Sequence, residues 1–131
     1  MPDWRVDERS GAKMKVIRQD PAAAAVSSDP MFVGEVALQT LVGDDDAMLL
    51  RVASVTFVDG ARNRWHHHGA DQVLIVTAGD GIVASGKEER AVTVGDVILV
   101  PAGERHWHGA APGATFTHFA VLTPGPITLD E

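Results

Sequence analysis

Beyond Pro30 the chain reads as short apolar runs separated by turn residues. Runs at 32–42, 48–58, 72–77, 81–85, 91–94, 97–100 and 115–122 predict strands. Gly43-Asp-Asp-Asp46, Asp59-Gly60, Gly79-Asp-Gly81, Gly86-Lys-Glu-Glu89 and Gly95-Asp96 predict the turns between them. No apolar stripe of helical period follows residue 30. Ahead of it, Asp20-Pro21, a run of alanines and Ser27-Ser28-Asp29-Pro30 predict a turn, a short helical piece and a second turn. Residues 1–13 are polar and read as a loose leader, with 14–131 as a single domain. Pro124-Gly-Pro126 closes the strand pattern and leaves a short polar tail. Many short strands at this spacing predict an all-β, antiparallel sandwich or barrel with a short irregular or helical N-terminal segment.

Alternation within the runs assigns faces. Ala53, Val55 and Phe57 share one side of their strand; Phe116, His118 and Ala120 share one side of another, with Thr117, Phe119 and Val121 opposite. Both sides of that last strand are largely apolar. A second sheet on one side and a second copy of the chain on the other would cover them, so a homodimer or higher homo-oligomer is expected.

Composition narrows the partners. At 131 residues one domain is expected, and 45% hydrophobic with 22% charged residues is ordinary for a globular protein. A net charge of −7 offers no basic face for nucleic acid or an anionic membrane. The absence of cysteine excludes disulfides and thiolate ligands. No apolar run reaches the ~20 residues of a membrane span, and Met1-Pro-Asp-Trp-Arg lacks the order of a signal peptide. A cytoplasmic protein acting on a small molecule is the expectation.

All six histidines lie between positions 66 and 118. His66 and His68, two apart on an extended strand, point to the same side with Cβ atoms roughly 7 Å apart, close enough to converge on one cation. His67 alternates to the opposite face and is not expected to be a ligand. The frame around them is Gly-x5-His66-x-His68-x3-Gln72-x6-Gly79, a spacer at 80–94, then Gly95-x5-Pro101-x-Gly103-x2-His106. This pair of motifs, 60–79 and 95–110 with its flank, resembles the signature of the cupin superfamily. The resemblance implies an antiparallel jelly-roll barrel holding one divalent metal on His66, His68, Gln72 and His106. The local chain agrees. Gly69-Ala-Asp71 turns the backbone so that the Gln72 amide oxygen can point back, and Pro101-Ala-Gly103 makes a tight turn that brings in His106.

Two positions depart from the usual pattern: Gln72 stands where cupins commonly carry an acidic ligand, and Ala110 where many carry Asn. Four neutral donors leave a divalent ion nearly its full charge. Affinity should then be lower than at a carboxylate site, and Lewis-acid work is favoured over redox cycling. Nitrogen and oxygen donors admit Mn, Fe, Co, Ni or Zn. His108 should face the same cavity as His106, and His118 lies on the late strand; either could serve as a general base. Ala53, Val55, Phe116 and Ala120 are the expected apolar substrate lining, while Trp65 and Trp107 alternate outward and read as packing.

Over about residues 31–122 the chain also resembles the cupin-type bacterial hydroxynitrile lyases, through Gln72-Val-Leu-Ile-Val-Thr-Ala-Gly79, the 101–112 stretch and Thr117-His118. That resemblance implies manganese on three His and one Gln, and cleavage of cyanohydrins to an aldehyde and hydrogen cyanide with His118 as base and His108 nearby. The competing readings are a metal-dependent dioxygenase or a decarboxylase/isomerase on a small aromatic or keto compound, and a non-catalytic small-molecule-binding module. A storage or structural role fits poorly with retained metal ligands.

Overall fold

A computed structural model describes residues 13–131; the leader expected at 1–13 lies outside these residues apart from Lys13. Among the described residues, Pro21–Ala23 form one turn of 3-10 helix. The Asp20 side chain caps it by accepting from the Ala22 backbone N–H. Thirteen strands follow in chain order. They are β1 (Ala25–Val26), β2 (Phe32–Val33), β3 (Val36–Val42), β4 (Arg51–Phe57), β5 (Arg62–Asn63), β6 (His66–His68) and β7 (Gln72–Gly79). After them come β8 (Gly81–Ser85), β9 (Glu88–Val92), β10 (Val97–Val100), β11 (His106–Ala110), β12 (Phe116–Leu122) and β13 (Ile127–Leu129).

Two antiparallel sheets form the jelly roll. One has the order β1-β3-β4-β12-β7-β10. In the other, β11 pairs with β5 and β6, and also with β8, which carries β9 at the edge; β13 and β2 flank β6 and β5. The inward alternation of β4 and β12 matches expectation: Phe57, Val55 and Ala53 pair across to Phe116, His118 and Ala120. Phe57, Phe116, Val76, Val36 and Val92 pack into the main core cluster at one end of the barrel. Leu74, Val100 and Ala120 form a smaller cluster, joined by Ile98 and Leu122.

The strand reading needs four corrections. The run 32–42 is broken at Gly34, whose φ of +87 turns the chain between β2 and β3. The run 48–58 begins ordering only at Arg51. Glu88 and Glu89, read as turn, open β9 and stand exposed on an edge strand, where charge blocks further pairing. The expected polar tail contains β13, which pairs residue for residue with β6.

Close backbone approach sets the geometry around β11. A Cβ on Gly109 would lie 2.5 Å from the Ala61 carbonyl oxygen and collide with Arg62, so only glycine lets β5 lie this near. That approach carries Asn63 in beside His108.

Candidate metal centre

β6 and β11 are cross-strand neighbours, with His66 directly opposite His106. Ring centroids of His66 and His106 are 4.3 Å apart, those of His66 and His68 5.0 Å, and those of His68 and His106 5.6 Å. One nitrogen from each ring lies within 4.8 Å of the others. All three residues are buried.

The two motifs are clamped to one another by their turns. Gly103, at φ +84, donates its N–H to the His68 carbonyl at 2.9 Å, and the Asp71 carboxylate accepts from the Ala102 N–H at 2.9 Å. The strand pair therefore reaches the barrel interior with its histidines already in register.

Backbone carbonyls fix the ring tautomers. His66 Nδ1 donates to the Arg64 carbonyl at 2.6 Å, and His106 Nδ1 donates to the Glu104 carbonyl at 2.9 Å. Each neutral ring then keeps its lone pair on Nε2. Both Nε2 atoms are buried and without a hydrogen-bond partner, as are both ring nitrogens of His68 and the Gln72 Oε1. Five unsatisfied polar atoms in an interior are costly unless something binds them. Four of the residues the motifs named thus present unshared lone pairs, and a divalent cation with nitrogen and oxygen preference fits that donor set. Burial pulls His66 and His68 from 6.5 to about 4 and lowers His106 as well, so all three are neutral near pH 7.

A second histidine group lies behind the first. His118 Nε2 and His108 Nδ1 are 3.0 Å apart, one donating and the other accepting. Asn63 holds His108 twice: its Oδ1 accepts the His108 backbone N–H at 2.9 Å, and its amide nitrogen lies 3.1 Å from His108 Nε2. Burial holds His108 well below 6.5, and the His118 ring falls to about 4 for the same reason. Asn63, nearly fully buried, went unnoticed in the sequence because nothing about an Arg62-Asn63 dipeptide in a turn-like stretch marks it as interior.

A cavity of about 140 Å3 is lined by His66, His68, Gln72, His108 and His118, together with apolar side chains. Of the expected substrate lining, Val55 and Ala120 are in its wall. Phe116 is instead packed in the core, 6.1 Å from Phe57 and tight beneath Gly81, and Ala53 packs against that core. Asn63 and the apolar Met31, Phe32, Phe57, Leu122 and Ile127 supply the rest of the wall. Ile127 arrives on β13, from the tail read as polar. His67 points away from the cavity, its Nδ1 2.9 Å from Asp130. Trp107 packs outside under the Arg62 guanidinium, 4.7 Å from its ring centre, and Trp65 under Arg105.

Residues 53–121 match the cupin domain family. The chain belongs to the cupins. It is 40% identical over 109 residues to an (R)-mandelonitrile lyase of Granulicella tundricola, covering 82% of this chain and 83% of that protein. A cupin-like protein of Thermotoga maritima shares 36% identity, with a TM-score of 0.77 over 82% of this chain and 84% of that one. A polyketide cyclase of Streptomyces resistomycificus superposes with a TM-score of 0.81 over 91% and 87% of the two chains, but at 18% identity it speaks for the fold alone. No helix among the described residues is long and apolar enough to cross a membrane.

Proposed function

We propose that this cupin is a metal-dependent carbon–carbon lyase that cleaves small cyanohydrins to an aldehyde and hydrogen cyanide. The observation that carries the reading is the shared cavity: a neutral, buried His118–His108 pair faces the same apolar space as His66, His68 and Gln72. The similarity to a protein named (R)-mandelonitrile lyase supports the substrate class. His66, His68, Gln72 and His106 would hold one divalent cation per chain, with Mn favoured and Fe, Co, Ni or Zn compatible with the donors. When bound, the ion supplies Lewis-acid polarisation of a substrate oxygen.

The chain's own residues account for the rest. Val55, Ala120, Leu122 and Ile127 give the aryl or alkyl group an apolar wall and keep water from the reacting carbon. His118, neutral at working pH, takes the hydroxyl proton as the oxygen's electrons form the carbonyl and the bond to the nitrile carbon breaks. Cyanide leaves with that bond pair and receives the proton, so aldehyde and hydrogen cyanide balance the cyanohydrin. His108 orients the His118 ring through their shared hydrogen bond, and Asn63 orients His108.

The test is benzaldehyde release from racemic mandelonitrile by manganese-loaded protein, with His118→Ala measured beside it. Turnover that disappears in the variant at unchanged metal content supports the reading. Absence of turnover from protein shown to carry its metal overturns it and leaves the cupin site in need of another substrate.

A further inference from the structure

Ile127 lines the cavity beside the metal centre and also meets solvent. The other residues of that wall are buried or half-buried, whereas Ile127 is 50% exposed. A side chain in both places stands at the mouth. Its position follows from strand pairing: β13 runs antiparallel to β6 with Ile127 directly opposite His68. Residues opposite one another share a face of the sheet, with Cβ atoms about 5 Å apart. Ile127 therefore lies alongside an imidazole of the metal centre, on the cavity side of β6. Leu129, opposite His66, lines a surface groove with the 27–30 turn instead.

Backbone contacts hold this mouth in place. Gly69 donates its N–H to the Pro126 carbonyl at 2.9 Å, and Asp130 donates its N–H to the Trp65 carbonyl at 2.9 Å, so both ends of β13 are tied to chain flanking β6. The Pro126 ring fixes the backbone entering β13, and it packs so closely that a Cβ on Gly69 would lie 2.9 Å from its Cδ. With the strand held, the room at the mouth is set by the side chain at 127. The space behind it is small. Its volume of about 140 Å3 is close to the ~150 Å3 of an apolar protein cavity that takes up one benzene molecule. The polar side chains in the wall are the histidines, Gln72 and Asn63, and the others are apolar. A ligand that turns its polar group to them leaves its remaining substituent against apolar side chains, Ile127 among them.

We infer that Ile127 determines substrate size: its side chain limits the substituent on the reacting carbon to about one aromatic ring. The inference rests on the cyanohydrin reading for the reaction, whereas the ring limit comes from the cavity and its mouth. Cyanohydrins of single-ring or short branched aliphatic aldehydes fit the space. Those carrying fused rings meet Ile127.

Two probes that need no turnover, benzyl alcohol and 2-naphthylmethanol, test this by calorimetric titration of manganese-loaded protein. The unaltered protein should bind benzyl alcohol more tightly. Ile127→Ala removes an ethyl and a methyl branch from the mouth. It should shift the ratio of the two dissociation constants toward the naphthyl compound by about tenfold or more, since one methylene in an apolar pocket is worth ~10–200-fold. Ile127→Phe should move the ratio the other way. The ratio of kcat/KM for mandelonitrile against the cyanohydrin of 2-naphthaldehyde should follow in both variants. A shifted binding ratio without turnover of either cyanohydrin supports the inference and overturns the lyase reading. A ratio unchanged in both variants overturns the inference, as does an unaltered protein that binds no benzyl alcohol. Manganese lost from folded Ile127→Ala also overturns it, because Ile127 would then support His68 and not limit the substrate.

Discussion

His66, His68 and His106 differ from His108 and His118 in what their ring nitrogens meet, although all five share one interior and burial lowers the pKa of each. In the first group backbone carbonyls occupy Nδ1 of His66 and His106, and the remaining lone pairs meet nothing. In the second the rings bind one another and Asn63, and His118 Nδ1 alone is left without a partner. Desolvation alone therefore says only that these imidazoles are neutral. Hydrogen-bond supply separates a group whose unshared lone pairs converge, as a cation site requires, from a pair whose rings are tied to one another and to Asn63.

Removing one member of each group should separate them sharply. His106→Ala takes one of three imidazole donors from the centre. We expect its affinity for manganese, read by calorimetric titration, to fall by more than the ~10–100-fold typical of disturbing a ligand's outer partner, with turnover lost alongside. His118→Ala should leave metal content untouched and lower mandelonitrile turnover by about 10²–10⁴-fold, the usual worth of a positioned acid or base. Equal loss of metal in both variants would dissolve the distinction. Asn63→Ala should act between these, because it leaves the His108 N–H buried without an acceptor, a cost of about 1–3 kcal/mol in stability. Its metal affinity should stay unchanged while kcat falls, and a KM effect alone would show that Asn63 only shapes the wall.

Acid should weaken the metal-free protein through both groups. The folded-state values of His66, His68 and His118, about 4, lie below the 6.5 of the unfolded chain. Between those limits the unfolded state binds more protons, so stability is full above 6.5 and is lost as pH falls toward 4. Chelator-treated protein should show a Tm that drops steadily across this window. Manganese should hold Tm up until lower pH, since an ion that binds only the folded chain opposes protonation of its ligands. A Tm flat from pH 7 to 4.5 in the absence of metal would contradict the burial of these rings.

Much of this was legible because the metal motifs combine two strong local signals. A period of two puts His66 and His68 on one side, and Gly and Pro at fixed offsets dictate the turns that bring in Gln72 and His106. The jelly roll followed from many short strands and the same motifs. What escaped depended on tertiary pairing. Residues 127–129 look like an ordinary tail until β6 is there to pair with them, and Asn63 looks like a loop residue until Gly109 lets β5 close on β11. Phe116 and Ala53 share the alternation of Val55 and Ala120, so parity placed all four inside. Depth along the barrel, which parity does not encode, sends the first two into the packing of the core.

The smallest effect belongs to the histidine between the ligands. His67 sits on the far side of β6, a third exposed, with Nδ1 against the Asp130 carboxylate, and that pairing holds Asp130 below its ordinary value. A hydrogen-bonded side-chain pair at such a surface contributes about 0–1 kcal/mol, and β13 stays paired to β6 through its backbone regardless. His67→Gln retains a polar group able to donate to Asp130. It should therefore bind manganese as the unaltered protein does, keep its turnover, and shift Tm by no more than a degree or two, read by differential scanning fluorimetry. A loss of metal in this variant would mean that β6 does not hold His66 and His68 alone toward the centre, and the contrast between its two faces would fail.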